Sequence, residues 1–343
     1  MHANWKHVRL LSWAEEVPST EITSEALEER IAPLLATLGV PRGTLAEKTG
    51  VHARRWSAAD ADPEPVAARV AEAALTKAGL HARDVGLIIN ASIDHRFFEP
   101  SGAHLVGRHL GVGSDAQLFD VRNACLGFLD AVTIAADRIE TGVVDVAIIV
   151  ASEAGGMRRA IDAAIDDALA RGVLTPELWV PLTMGCGAVA WVLCSSRVAA
   201  GVASIDRALT RNLAQHSELC VGRIDDDGRL TVRANGAGIL RQGVALIATT
   251  FAEAQRHGAT LGQVFMHQVG IAHVMAVEKT LSFTMHPRGS VFRELGNTGP
   301  VGMPLALARA AEAGSLRDGP VTLLGAGSGL SASVMSLTWG AGS

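Results

Sequence analysis

The chain has 343 residues, 48% hydrophobic and 19% charged, with a formal net charge of -5. That is ample apolar material for one large or two fused cores, and the mildly acidic balance gives no electrostatic basis for a nucleic-acid partner. The opening Met1-His2-Ala3-Asn4-Trp5-Lys6 lacks a basic-then-apolar leader, and apolar runs such as 144–151 are too short to span a bilayer, so a cytoplasmic protein with no membrane span is expected.

Short Val/Ile/Leu runs alternate with helix-like segments along the chain, the pattern of an α/β fold with buried strands. Leu80-His81-Ala82-Arg83-Asp84-Val85-Gly86-Leu87-Ile88-Ile89-Asn90 reads as a helix end, a turn and a strand. Beyond it, Phe98-Glu99-Pro100-Ser101 suits the start of a helix over 102–110. Phe119-Asp120-Val121-Arg122-Asn123-Ala124-Cys125 then passes from a short strand into a run with Leu126, Leu129, Val132, Ala135 and Ile139 at helical spacing, ending at Gly142. Cys125 therefore sits at a helix N-terminus. Unpaired N–H groups and the helix dipole favour thiolate there, the form that attacks thioesters. The plain alternative is a buried structural cysteine.

A buried strand over 144–152 follows, ending in small residues. The stretch 153–183, rich in Ala, Arg and Asp, reads as an insertion forming a surface helix over the site or at a subunit contact. Cys186, Cys194 and Cys220 have no setting like that of Cys125 and read as core or surface residues; with no C-x-x-C pair, no metal site is expected. Trp56 and Trp179 are candidates for lining the mouth of a site.

The pattern then repeats. Residues 256–267 read like 80–90, and 320–328 like 144–152, with an apolar helix between the strands of each pair, over 125–140 and 302–312. The chain is thus read as duplicated βαβ halves, 1–198 and 199–343, joined near 195–205. In the second half, His267 ends a buried strand, where open α/β sheets place their ligands. Gly296-Asn297-Thr298-Gly299-Pro300 is a turn offering an amide just before a helix. Gly325-Ala326-Gly327-Ser328-Gly329-Leu330 is a tight turn whose N–H groups can face a developing oxyanion. It lacks the Gly-x-x-x-x-Gly-Lys of a phosphate loop and the context of a dinucleotide fingerprint.

Together these motifs resemble the thiolase superfamily, in its beta-ketoacyl synthase III branch. The resemblance rests on Asp120-x-x-x-Ala124-Cys125-x-Gly127-Phe128, His267-Gln268, Gly296-Asn297-Thr298, Gly327-Ser328-Gly329 and the early Lys48-Thr49-Gly50-Val51-x-x-Arg54-Arg55, in the family's order and nearly end to end. It implies a five-layered αβαβα thiolase fold and an acyl-Cys intermediate on Cys125, with His267 and Asn297 completing a Cys-His-Asn set. In that reading the side chains of His267 and Asn297 hold the oxygen of a forming enolate. Backbone N–H groups of Cys125 and of the Ser328-Gly329 turn hold the other thioester oxygen.

Two departures narrow the branch. The stretch His267-Gln268-Val269-Gly270-Ile271-Ala272 replaces the usual His-Gln-Ala-Asn with its following basic residue, and Gly299-Pro300-Val301-Gly302-Met303-Pro304 follows the asparagine. The second pattern, with Phe98-Glu99-Pro100-Ser101, is more similar to OleA-type enzymes, which condense two acyl thioesters head to head. There the equivalent glutamate reaches into the neighbouring subunit's site as a base, so the resemblance implies that role for Glu99; a carboxylate raised in pKa by an apolar pocket suits it, and the adjacent Phe97 and Phe98 can supply such surroundings.

The expected activity is a Claisen condensation giving a 3-oxoacyl product, without a cofactor. The substrate is acyl-CoA or a phosphopantetheine thioester on an acyl carrier protein, with Lys48 and Arg55 as candidate contacts to a CoA phosphate, and a homodimer is expected. The alternatives are a decarboxylative synthase using a malonyl thioester, acyl transfer from Cys125 to an alcohol or amine, and a non-catalytic partner subunit of a thiolase-fold dimer.

Overall fold

The computed structural model describes residues 2–224, 226 and 230–340. Its centre is a mixed sheet made of two half-sheets that meet edge to edge. In the first, the strands run in the order Gln117–Asp120, Leu87–Asn90, Val146–Glu153, Gly187–Ser195, Val8–Glu16. In the second the order is Gln263–Met266, Gly319–Gly327, Ser331–Trp339, Ala203–Asn212. The halves join where Arg9 and Leu10 pair with Ser204 and Ala203. The division expected after residue 198 falls in the connection between Gly187–Ser195 and Ala203–Asn212.

Alternation along the strands explains the layering, because successive side chains point to opposite faces. Leu87, Ile89, Ala147, Ile149, Val189 and Trp191 face a central core shared with the helices Gly127–Glu140 and Gly302–Glu312. Phe265, Val321, Leu323, Met335 and Leu337 of the second half-sheet enter that core from the other side. The intervening residues Ile88, Ile148 and Ala190 pack outward against the helix Pro63–Lys77. On the opposite flank, Val264, Met266, Leu324 and Val334 pack with the helix Gly236–Arg256. Strands covered on both faces favour continuous apolar runs, and Val146–Glu153 is buried throughout, apolar from Val146 to Ala151 and polar at Ser152 and Glu153. The sequence of layers is helix, sheet, helix pair, sheet, helix: the five-layered thiolase arrangement.

The duplication is visible in the pairing. Leu87–Asn90 lies parallel to Val146–Glu153, and Gln263–Met266 lies parallel to Gly319–Gly327.

The insertion packs as a cap on the same chain. Met157, Ile161 and Ile165 of the helix Gly155–Arg171 join Leu27, Ile31, Leu45 and Trp56 in a separate apolar cluster. Trp56 lies in that cluster with the guanidinium groups of Arg30 and Arg158 at 5.9 and 5.4 Å from its ring. It is therefore a cap residue and not a lining residue of the mouth. Arg54 is wholly buried and donates to neutral oxygens, the Ile22 carbonyl at 3.3 Å and the Ser24 hydroxyl at 3.1 Å, while its Nε has no partner among the described residues; burial pushes its pKa down to about 10. Among the described residues, no helix is long and apolar enough to cross a membrane.

Candidate active site

The strand Gln117–Asp120 ends with a carboxylate that accepts N–H bonds from Gly102 and Ala103, at 2.8 and 2.9 Å, fixing the start of the helix Gly102–Leu110. The chain then enters a short 3-10 turn, Ala124–Leu126, before the helix Gly127–Glu140. Ala124 has φ +45°, a region in which side chains are crowded. Such strain persists only where the surroundings hold it, and residues next to reactive groups are a usual place for it.

What holds this turn is the glycine-containing end of the strand Gly319–Gly327; of the turn expected over 325–330, only residues 328–330 are a turn. A methyl group on Gly325 would lie 2.4 Å from Cδ2 of Leu126, and one on Gly327 would lie 3.6 Å from the Cys125 amide nitrogen. Leu126 itself is fully buried. The nucleophile candidate and the Gly327-Ser328-Gly329 segment are thus brought together across the central core.

His267 continues the ladder of its strand by donating its N–H to the Leu324 carbonyl at 2.9 Å. Gln268 is tied down by the hydroxyl of Ser290 and by an amide contact to the sulfur of Met285 at 3.3 Å. Asn297 is placed by backbone bonds in both directions: its N–H donates to Thr183 at 2.8 Å, and its carbonyl accepts from Gly185 at 3.0 Å. Gly296 must be glycine for this fit, since at φ +71° an added Cβ would meet the Thr183 carbonyl at 2.3 Å. The Asn297 side-chain oxygen accepts the Gly299 N–H at 3.0 Å, which leaves the NH₂ group as the end free to donate.

A cavity of about 350 Å³ connects these elements. Cys125, Asn297 and Ser328 line it, with Lys48, Trp179 and Cys220 also on its wall. His267 lines a small adjoining space whose wall also includes Asn297, so Asn297 is the residue common to both. Cys125 is partly exposed into the cavity, so it is not a sealed core cysteine.

The electrostatics differ from the thiolate expectation. Burial pushes the Cys125 thiol up to about 12, with Cys220 and Glu153 adding to the effect. Desolvation therefore outweighs the backbone hydrogen bond that favours the thiolate, and the balance lies toward a neutral thiol. His267 is neutral as well: burial, with a smaller contribution from His273, pushes its pKa down to about 3. Its Nε2 has no hydrogen-bond partner among the described residues. A neutral imidazole with an unpaired nitrogen is suited to donating a hydrogen bond to a substrate oxygen.

The other expected residues are distributed unequally. Lys48 is exposed and lines the cavity. Arg55 is held by an ion pair to Glu21 at 2.7 Å and by the Ser19 carbonyl at 3.1 Å, and its side chain is committed to the paired strands Thr20–Thr23 and Ala53–Trp56. Glu99 stands exposed on the segment between Asn90 and Gly102, away from the cavity of its own chain. Phe98 is 106% exposed and Phe97 47%, so within this chain they do not form the apolar surroundings expected for Glu99.

Several residues carry no local signal of a place at the site. Cys220, by its sequence setting a core or surface cysteine, lines the cavity. Glu153 stands in sequence at the start of the insertion. Buried at the end of its strand, it accepts N–H bonds from Ile93 at 2.7 Å and Asp94 at 3.1 Å, while Asp94 in turn accepts from Ala154 at 3.2 Å and Gly156 at 2.8 Å. These reciprocal bonds fix the root of the segment that carries Glu99. Burial raises the Glu153 carboxyl well above its ordinary range, and Asp94 raises it further. His273 also lines the cavity.

A family model described as the C-terminal part of 3-oxoacyl-[acyl-carrier-protein (ACP)] synthase III matches residues 251–339. Over 334 residues the chain is 32% identical to the acyl-CoA:acyl-CoA alkyltransferase of Xanthomonas campestris pv. campestris, covering 94% of this chain and 96% of that protein. Cerulenin-bound OleA from Xanthomonas campestris superposes with a TM-score of 0.91 at 30% identity, over 98% of each chain. A cysteine-to-serine variant of OleA with bound lauric acid and lauroyl-CoA gives 0.90 at 31% identity, over 98% of this chain and all of that one, 100%.

Proposed function

The chain belongs to the acyl-CoA:acyl-CoA alkyltransferase family, and from that premise we propose that it joins two acyl thioesters through an acyl group held on Cys125. The observation that carries the residue assignment is the shared cavity: Cys125, Asn297 and Ser328 line one space, and His267 adjoins it through Asn297.

The chemistry follows from the neutral resting pair. The sulfur of Cys125 attacks the first thioester carbonyl, the C–S bond to CoA breaks, and the thiol proton leaves with the departing thiolate. The developing oxyanion is met by backbone N–H groups of Cys125 and the Ser328-Gly329 turn. A second acyl thioester then loses an α-proton. His267 and Asn297 donate to the enolate oxygen as charge builds there, the contribution that counts most in such a step. The enolate carbon attacks the acyl-Cys carbonyl, the C–S bond to Cys125 breaks with the sulfur leaving as thiolate, and a 3-oxoacyl thioester is released; a proton equivalent to the one removed from the α-carbon then returns to the sulfur.

The α-proton needs a base. Glu99 is assigned that role toward the site of a second copy of the chain in a homodimer. In support, Glu99 is exposed on its own chain while the root of its segment is locked by Glu153 and Asp94. Lys48, exposed at the cavity, is assigned to the phosphates of an incoming CoA, and no cofactor is required.

The test is incubation of the purified protein with an acyl-CoA alone. A mass gain on the Cys125 peptide and formation of 3-oxo product without malonyl thioester are expected. Strict dependence on a malonyl donor would instead make it a decarboxylative synthase. Acylation without condensation would point to transfer onto an alcohol or amine, and no mass gain to a non-catalytic subunit.

A further inference from the structure

Six residues beyond His267, the helix Ile271–Leu281 turns His273 inward together with Val274 and Val277. His273 is 3% exposed, and it lines the same cavity as Cys125 and Asn297. Opposite it is Gly243 of the helix Gly236–Arg256, where an added Cβ would lie 3.9 Å from the His273 Nε2. The nearby wall is apolar, formed by Ile239, Leu240, Val269, Ala272 and Leu330.

Neither ring nitrogen of His273 has a hydrogen-bond partner among the described residues. Most buried polar atoms in proteins are paired, and one left over at a cavity wall calls for a partner from the cavity. Burial pushes the His273 pKa down to about 4, so the ring is uncharged and offers one N–H donor and one bare acceptor nitrogen. A carboxylate or phosphate gains little from a neutral ring among aliphatic side chains. A hydroxyl, a carbonyl or an amide is the chemistry that fits.

We propose that His273 hydrogen-bonds a neutral polar group of the bound acyl thioester, either an oxygen on the acyl chain or an amide of the pantetheine arm, and so sets substrate specificity. The proposal rests on the reading of this cavity as the acyl thioester site. A site built to hydrogen-bond a substrate group discriminates far more strongly against analogues lacking it than an apolar wall discriminates by size.

The experiment compares wild type, His273→Leu and His273→Asn for the rate of Cys125 acylation, followed by mass. Three donors are used: dodecanoyl-CoA, 3-hydroxydodecanoyl-CoA, and the dodecanoyl thioester of 2-mercaptoethanol, which has no amide. Because each variant is referred to its own rate with the simplest donor, a general loss of folded protein cancels. His273→Leu is expected to lower the ratio of a CoA donor to that reference by about tenfold, the effect of one modest hydrogen bond, and His273→Asn to restore much of it.

A loss confined to the hydroxylated chain assigns the partner to the acyl oxygen, and an equal loss with both CoA donors assigns it to a pantetheine amide. Unchanged ratios for all donors overturn the role of His273. No acylation of wild type by any donor overturns the functional reading on which the proposal stands.

Discussion

In the first half of the molecule the strand Leu87–Asn90 lies parallel to Val146–Glu153, with the helix Gly127–Glu140 between them in sequence. In the second, Gln263–Met266 lies parallel to Gly319–Gly327, with Gly302–Glu312 between. The scaffolds match, and the strand ends differ. Leaving Asn90, the chain runs outward to an exposed Glu99; leaving Met266, it turns directly into a buried His267. Before the first central helix stands a cysteine on a strained turn, and before the second an asparagine fixed by backbone bonds. A duplicated frame thus carries the proposed nucleophile and an exposed carboxylate in one half, and in the other the proposed neutral donors, a buried His267 and a half-buried Asn297.

That division of labour can be broken from either side. Cys125→Ala removes the only nucleophile assigned to the reaction; condensation should fall by about 10⁴-fold or more, with no acyl adduct by mass. Persistence of the adduct elsewhere on the chain would relocate the chemistry. Glu99→Gln should lower condensation by roughly 10²–10⁴-fold while acylation of Cys125 continues. If the exposed carboxylate serves a second copy, mixing Cys125→Ala and Glu99→Gln proteins under subunit exchange should regain part of the activity; full independence of the two defects would show that each chain uses its own Glu99.

On the second-half side, His267→Ala and Asn297→Ala should each cost about 10²–10³-fold in kcat, as expected for one oxyanion donor. Raised KM with unchanged kcat would mean that they bind the ground state only. The smallest effect tests the resting sulfur. With its pKa raised to about 12, Cys125 is protonated at neutral pH, and its thiolate fraction grows with every increment of alkalinity below that value. Iodoacetamide labelling of Cys125 should therefore rise by about tenfold per pH unit between pH 7 and 9. A plateau across that range would restore the thiolate picture.

Much of the site was legible because its parts occupy special local settings. Cys125 opens a helix, His267 ends a buried strand, and Asn297 and Ser328 sit in glycine turns, so each leaves a mark within about ten residues of sequence. Cys220, Glu153 and His273 leave no such mark. They reach the site from the start of the strand Cys220–Ile224, the end of the interior strand Val146–Glu153 and the interior of the helix Ile271–Leu281, and only packing aims them. Arg55 and Trp56 show the converse: a basic and an aromatic residue in a suggestive segment, claimed instead by Glu21, Ser19 and the cap cluster.

The sequence by itself determined the alternating elements and the repeat, because periodicity and turn chemistry are local properties of the chain, while the Cys-His-Asn set was what the family resemblance implied for Cys125, His267 and Asn297. The tertiary structure alone decided that burial pushes the Cys125 thiol up, that His267 is held neutral, and that Glu99 is exposed and does not line the cavity of its own chain. Desolvation and exposure depend on everything folded around a group, and residues far apart in the chain supply those surroundings.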